Sequence, residues 1–335
     1  MKAYQLFAQT GPDALQSVEL PEPHPAPGQV LVRVRAVSLN YRDQMVADGR
    51  YGQAPLPLIP LSDGAGEIVA LGAGVTRWKI GDRVAGAFFQ GWTGGAFRRE
   101  LMGTALGGAM PGMLAEYVAL AETGVVAAPA HLSFPEAATL PCAGLTAWHA
   151  LVTQGKISAD QTVLLLGTGG VSLFALQFAR MHGARVIITS GSDEKLARAR
   201  ALGADETINY RATPDWEKEV YRLTGKAGVD HVVEVGGTGT FAKSLRALAP
   251  GGQVHLIGGV SGFTSDVPLL DIIGKMAVVR GVYVGSVEMF EAMNRAVARH
   301  GVKPVVDRVF AFAEARAAYA YQHSGAHFGK VTIEI

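Results

Sequence analysis

The residues Gly167-Thr168-Gly169-Gly170-Val171-Ser172 stand directly between the apolar run TVLLL and the helical pattern LFALQFARMHG. Their spacing suits a phosphate cradle. Gly167 permits a tight turn, Gly169 lets the backbone approach a pyrophosphate, and the following helix offers free N–H groups and the positive end of its dipole. Ser172 stands where the fingerprint has its third glycine, and it is small enough for close packing of helix on strand. The motif gains weight from this strand–turn–helix context, and it predicts a bound dinucleotide.

The next strand tells which dinucleotide. An NAD site places a carboxylate about 20 residues beyond the first glycine, on the ribose hydroxyls. Here the strand ends in Ile187-Ile188-Thr189-Ser190, followed by Gly191, Ser192, Asp193, Glu194 and Lys195. Hydroxyls and a lysine accept a 2′-phosphate that a carboxylate would repel, so NADPH is expected in preference to NADH. Ser192 also reads as the N-cap of the next helix, and a capped helix start is itself an anion site.

These residues need a parallel sheet to hold them. TVLLLG, ARVIIT, DHVVEV, GQVHLIG and AVVRGVYVG alternate with helical patterns, which argues for strands buried on both faces. Earlier in the chain QVLVRVRAVSLN alternates, with Val30, Val32 and Val34 opposite Arg33 and Arg35, as a half-exposed strand does. PEPHPAPG reads as a loop, and Gly91 to Gly112 as a long loop over a site. SVEMFEAMNRAVARHG and FAEARAAYAYQHSG read as helices and KVTIEI as a closing strand. The expected fold is α/β, strands and turns in the first third and a doubly wound parallel sheet from about Val125, with a tail of mixed structure.

With 335 residues, 49% hydrophobic and 18% charged, the chain is globular and large enough for two cores. A net charge of +1 gives no general pull toward nucleic acid or membrane. One cysteine, Cys142, excludes an internal disulfide, and MKAYQLFAQTGPD has no apolar signal-peptide core. The expectation is a soluble cytoplasmic protein acting on a small molecule.

SLNYRD (Ser38 to Asp43), PLSDGAGEIVALGAGVTRWKIGDRV (Pro60 to Val84), ATLPCAGLTAWHAL (Ala138 to Leu151), GTGGVSLFALQFAR, GADETINYR (Gly203 to Arg211) and HFGKV (His327 to Val331) are together specific. Through them nearly the whole chain resembles the zinc-free, quinone-oxidoreductase-like branch of the medium-chain dehydrogenase/reductase superfamily. The resemblance implies a GroES-like β domain, residues 1–123 completed by 286–335, beside a Rossmann domain of 124–285, with ligand bound in the cleft between them. It also implies roles. Lys195 and Tyr210 match positions that hold the 2′-phosphate. Thr146 matches a hydroxyl near the nicotinamide, Gly258, Tyr283 and Val284 match backbone near that ring and its amide, and Lys330 matches a basic residue near the cofactor phosphates. The strand Ala277 to Gly285 matches one paired across a homodimer.

Zinc-dependent relatives carry Cys in the first segment and GHE in the second, where this chain has SLNYRD and SDGAGE. Leu39 or Asn40, and Asp63, take the ligand positions, so no metal is expected. Cys142 reads as helix packing, and His323 and His327 lack a third ligand. A zinc ion stabilises a developing alkoxide by several kcal/mol. Without it, a quinone, enone or enal is the fitting acceptor, because conjugation spreads the charge. Asn40 and Tyr41 are the candidate donors to the oxygen, with Asp43 and Asp63 orienting them and Tyr41 able to give a proton. Two alternatives stay open: a zinc-free alcohol or aldehyde reductase acting on unconjugated substrates, and a nucleotide-binding redox sensor with little turnover.

Overall fold

The structure, a computed structural model, describes residues 1–264, 266–267 and 269–335. The chain forms two compact units, Met1–Leu145 with Val284–Ile335, and Thr146–Tyr283. The first boundary therefore falls later than residue 123. The reason is local: Val125–Ala127 is a strand that pairs with Arg83–Gly86, and so belongs to the β unit.

In the GroES-like unit the strand Gln29–Ser38 lies at the centre. It pairs antiparallel with Asp63–Leu71, with Tyr117–Ala121 and with the closing strand Lys330–Glu334. Val30, Val32 and Val34 face the core, as alternation requires. Leu31, Ala36 and Val37 are buried too, so this strand is covered more fully than alternation alone suggests. On the open face Arg35 donates to Glu67 of the neighbouring strand at 2.7 and 2.9 Å. Register fixes the site. Thr332 pairs with Ser38, and Ser38 with Asp63. Lys330, Asn40 and Asp63 are thereby brought to the same end of three adjacent strands.

The long segment 91–112 is a loop carrying a short 3-10 helix, Arg99–Thr104. It presses on Leu61, whose backbone is left-handed at φ 67°. A Cβ on Gly112 would lie 2.2 Å from the Leu61 carbonyl oxygen, so only glycine allows that approach. The loop thus clamps the turn that delivers Ser62 and Asp63.

The Rossmann unit is a six-stranded parallel sheet in the order Glu206–Asn209, Arg185–Ser190, Thr162–Leu165, Val229–Glu234, Leu248–Leu256, Val278–Gly281. Numbered along the chain this is 3-2-1-4-5-6, whose switch point lies beside the first strand. Five strands match the sequence reading. The sixth, Glu206–Asn209, is absent from it because this strand is short and mostly polar, with only Ile208 buried. Among the described residues, no helix is long and apolar enough to cross a membrane.

Candidate active site

Asn40 caps the helix Tyr41–Ala47, and its backbone N–H donates to Asp43 Oδ2 at 2.7 Å. Asp43 also accepts from Arg42 at 3.3 Å, and Arg42 donates on to the carbonyls of Leu106 and Gly107 at 2.9 and 3.1 Å. Asp63 accepts from the Ser62 hydroxyl at 2.7 Å and from the Cys142 backbone N–H at 3.1 Å. Lys330 is buried; its ammonium donates to the Leu39 carbonyl, and to Asn40 Oδ1 at 2.5 Å. Asn40, Asp43, Asp63 and Lys330 therefore form one buried cluster, with Cys142 at its edge.

The electrostatics follow from burial. Loss of water pushes the Asp63 carboxyl up to about 6, against the pull of Lys330 and the Ser62 bond. Desolvation likewise raises Asp43, opposed by Arg42. It lowers Lys330, opposed by Asp63, Cys142 and Asp43. Burial pushes the Cys142 thiol well up, and the Asp63 charge pushes it further. These residues do not suit a zinc ion, which needs thiolate, imidazole or carboxylate ligands facing one point. The thiol is held protonated, and the cation at the centre of the donors is Lys330.

Two expectations change here. Cys142 is not in a wholly apolar setting; its backbone holds Asp63, and its thiol feels Asp63 and Lys330. Lys330, expected at the cofactor phosphates, spends its ammonium on Leu39 and Asn40 of its own unit. Tyr41 follows Asn40 as the first residue of the helix. It is half-buried, and its hydroxyl bonds with the guanidinium of exposed Arg50.

In the Rossmann unit the glycine turn follows the first strand, at the switch point. Gly167 is left-handed at φ 72°, and Gly169 is the N-cap of the helix Gly170–Met181, whose first turn includes Val171. No atom lies within 4 Å of a Cβ built on Gly169, so the space beside it is open for a phosphate. The residues present therefore fit a dinucleotide. Ser172 is buried and its hydroxyl donates to the Leu166 carbonyl at 2.7 Å, so the missing third glycine is replaced by a satisfied polar group. Thr168 and Thr146 are buried, and Thr146 opens this unit in the helix Leu145–Trp148.

At the end of the second strand the Ser190 hydroxyl accepts from the Ser192 N–H at 3.3 Å, and the Ser192 hydroxyl from the Lys195 N–H at 3.4 Å. A Cβ on Gly191 would meet both Arg211 Nε and Tyr210 Oη at 2.8 Å. The structure thus brings Ser190, Ser192, Lys195 and Tyr210 to one place and adds Arg211. Sequence reasoning passed over Arg211, although it adjoins Tyr210 and carries the charge a phosphate needs. It also passed over Glu234. That buried carboxylate ends the fourth strand and accepts from the N–H groups of Gly236 and Gly237 at 2.7 and 3.0 Å and from Thr240 at 2.6 Å, which shapes the loop across the switch point. Gly258 donates to the Glu234 carbonyl at 3.3 Å. Tyr283 ends the Rossmann unit, and Val284 opens the returning segment in a strained conformation, φ 50°, that β-branched residues rarely adopt.

A phosphate-cradling Rossmann unit and a GroES-like unit with a buried donor cluster, carried on one chain, define an NAD(P)-dependent oxidoreductase. The chain belongs to the medium-chain dehydrogenase/reductase superfamily. Residues 26–130 match the alcohol dehydrogenase GroES-like domain, and residues 170–299 match the zinc-binding dehydrogenase domain. A zinc-type alcohol dehydrogenase-like protein of Schizosaccharomyces pombe is 44% identical over 316 residues, 92% of this chain and 91% of that protein. A quinone oxidoreductase of Pseudomonas aeruginosa is 33% identical over 95% of this chain and 94% of its own length. The crystal structure of an NAD-dependent alcohol dehydrogenase is 37% identical with a TM-score of 0.92, covering 100% of both chains.

Proposed function

We propose that this enzyme is a zinc-independent, NADPH-dependent reductase of small conjugated carbonyl compounds: quinones, enones or enals. The observation that carries the reading is the buried cluster. Asn40 and Asp63, which the resemblance sets at ligand positions of zinc-dependent relatives, lie buried with a lysine ammonium that bonds Asn40, and this supports a site that works without a metal. Bound NADPH supplies the hydride. Asn40 Nδ2 donates to the oxygen on which charge develops, and Asp63 keeps the site electrically balanced. Tyr41, whose oxygen accepts from Arg50, gives the proton that completes the product. Conjugation lowers the demand on these groups, because the charge is shared across the π system.

The cofactor preference rests on the second strand's neutral end and on Lys195, Tyr210 and Arg211 around Gly191. An alcohol or aldehyde reductase using NADH is the second reading, favoured by the NAD-dependent alcohol dehydrogenase named above. We further read the enzyme as a cytoplasmic homodimer. Leu269, Leu270, Ile273 and Met276, all at least 66% exposed, flank the edge strand Val278–Gly281, which a second copy would cover.

The test follows nicotinamide absorbance in the presence of quinones, enones, enals, simple aldehydes and simple alcohols, with each cofactor. The expected order is NADPH above NADH and conjugated above unconjugated acceptors. Turnover confined to simple alcohols would overturn the substrate class, and bound NADPH that no acceptor oxidises would favour the redox sensor. Elemental analysis on the same sample should find no stoichiometric metal, with chelators leaving the rate unchanged; one zinc per chain lost together with activity would overturn zinc independence.

A further inference from the structure

We infer that Lys330 is a positioning residue for carbonyl activation: its ammonium fixes the Asn40 carboxamide so that Nδ2 is the end presented to the substrate oxygen. This rests on the reading of Asn40 as the oxyanion donor and names what makes it one.

A carboxamide has an acceptor end and a donor end of nearly the same shape, and its neighbours decide which way it faces. Here the decision is made by charge. Lys330 Nζ lies 2.5 Å from Asn40 Oδ1, and an ammonium can only donate. Turning the amide over would set its NH2 against the ammonium, donor facing donor. The Asn40 main chain is held separately, by the bond from its N–H to Asp43 Oδ2. The orientation of the side chain is therefore set by Lys330 at Oδ1, with the Asp63 carboxyl near the amide favouring the same sense.

The other end of the amide has a donor to give. Asn40 is 8% exposed, and its Nδ2 makes no hydrogen bond of ordinary length and angle. Its nearness to Asp63 helps to hold that carboxyl down, without closing such a bond. A buried N–H without an acceptor is rare in folded proteins, because the loss of water is not compensated. An incoming carbonyl oxygen supplies the acceptor. The ammonium also draws electron density toward Oδ1, which polarises the amide and makes Nδ2–H the stronger donor as negative charge grows on the substrate. Burial lowers the Lys330 ammonium, and Asp63, Cys142 and Asp43 oppose that loss.

The test has a spectroscopic and a kinetic arm, both on the full chain. With asparagine labelled in 15N, the Asn40 side-chain signal is identified by its loss in Asn40→Ala. Lys330→Met should move that signal toward the shifts of an unconstrained asparagine side chain, since the amide is no longer held one way; an unmoved signal overturns the inference. With saturating NADPH and 1,4-benzoquinone, Asn40→Ala should lower kcat about 10²–10³-fold, the usual loss for one oxyanion donor. Lys330→Met should lower kcat at least about tenfold with little change in KM, and Lys330→Met/Asn40→Ala should be no slower than Asn40→Ala alone. Multiplying losses would mean that Lys330 acts apart from Asn40, and a wild-type kcat in Lys330→Met would remove it from catalysis; either overturns the inference. Lys330→Met leaves Asp63 buried without its counter-charge, so Lys330→Met/Asp63→Asn is the second variant, which removes both charges if the single variant does not fold. If the wild-type enzyme reduces no conjugated acceptor, the proposed substrate class fails, while the amide signal still decides whether Lys330 positions Asn40.

Discussion

The Rossmann sheet contains a pair of histidines whose protonation should set the acid limit of that unit. His231 and His255 are both fully buried on adjacent strands. His231 Nε2 lies 2.9 Å from Gln161 Oε1, an oxygen that also accepts from the Ser158 N–H at 2.9 Å. His231 must therefore donate through Nε2 and accept through Nδ1, from His255 Nε2 at 3.1 Å. The remaining nitrogen, His255 Nδ1, is buried with no acceptor. A proton added there would find no partner, and burial holds His255 down at about 3, with His231 lowered by the same cause. The unfolded chain binds that proton at about 6.5. Between those values the unfolded state holds more protons, so stability is lost as pH falls below about 6.5. From about pH 7.5 to about pH 4.5, His255 alone accounts for about 2.7 kcal/mol. Asp63 has the opposite sign: its raised pKa favours the fold below about 4 and loses that contribution as pH rises through about 6. Asp63 lies in the other unit, so the assay must resolve the two. Urea unfolding followed by hydrogen exchange on peptides of the parallel sheet does so. His255→Leu should flatten the acid slope of those peptides by about the amount given. An unchanged slope would refute the tautomer argument.

Three further outcomes are expected. Gly169→Val should abolish NADPH binding by calorimetry while both units stay folded, because its Cβ meets no protein atom and obstructs only the phosphate; unchanged affinity would put the cofactor elsewhere. Lys195→Ala and Arg211→Ala should each weaken NADPH by about 10–150-fold, the worth of a charge-assisted bond to phosphate, and leave NADH little affected; equal losses for both cofactors would make them structural. Tyr41→Phe should lower kcat about 10²–10⁴-fold without changing NADPH affinity, less for quinones than for unconjugated aldehydes; a wild-type kcat on both would leave solvent as the proton source.

The parallel sheet was legible because its inner strands are continuous apolar runs, and the glycine turn because a phosphate dictates residue type atom by atom. Ser172 looked like a defect in the motif, and only coordinates reveal that its hydroxyl is spent on Leu166. Glu206–Asn209 escaped notice because an edge strand with one buried residue carries no periodic signal. The donor cluster was half legible. SLNYRD and SDGAGE pointed to Asn40 and Asp63, but Lys330 lies some 290 positions away from Asn40 in sequence and meets it only through strand register. Nothing local in HFGKV distinguishes a lysine aimed at a phosphate from one aimed into its own sheet.

That buried lysine also accounts for how the site holds its charges. Arg42, Asp43, Asp63 and Lys330 are each 8% exposed or less, two cations against two carboxylates. Burying four charges is costly, and well-packed apolar residues in their place are often as stable or more so. Here each charge has a task beyond balance. Arg42 ties the loop carbonyls of Leu106 and Gly107 to the helix start, and Asp43 holds the Asn40 main chain. Asp63 holds the N–H of Cys142, and Lys330 holds the Asn40 amide. Every one of these bonds ends on a group that borders Asn40 or fixes a segment beside it. The arrangement is what a donor needs if it must be in place before the substrate arrives, since a donor that reorients during the reaction loses part of its effect. A metal would supply that fixity through its ligand geometry. On the zinc-independent reading proposed above, four balanced charges supply it through hydrogen bonds, and the reach of that substitute is shorter: it orients a neutral N–H instead of presenting a dication. The proposed preference for conjugated acceptors would follow from that difference in strength.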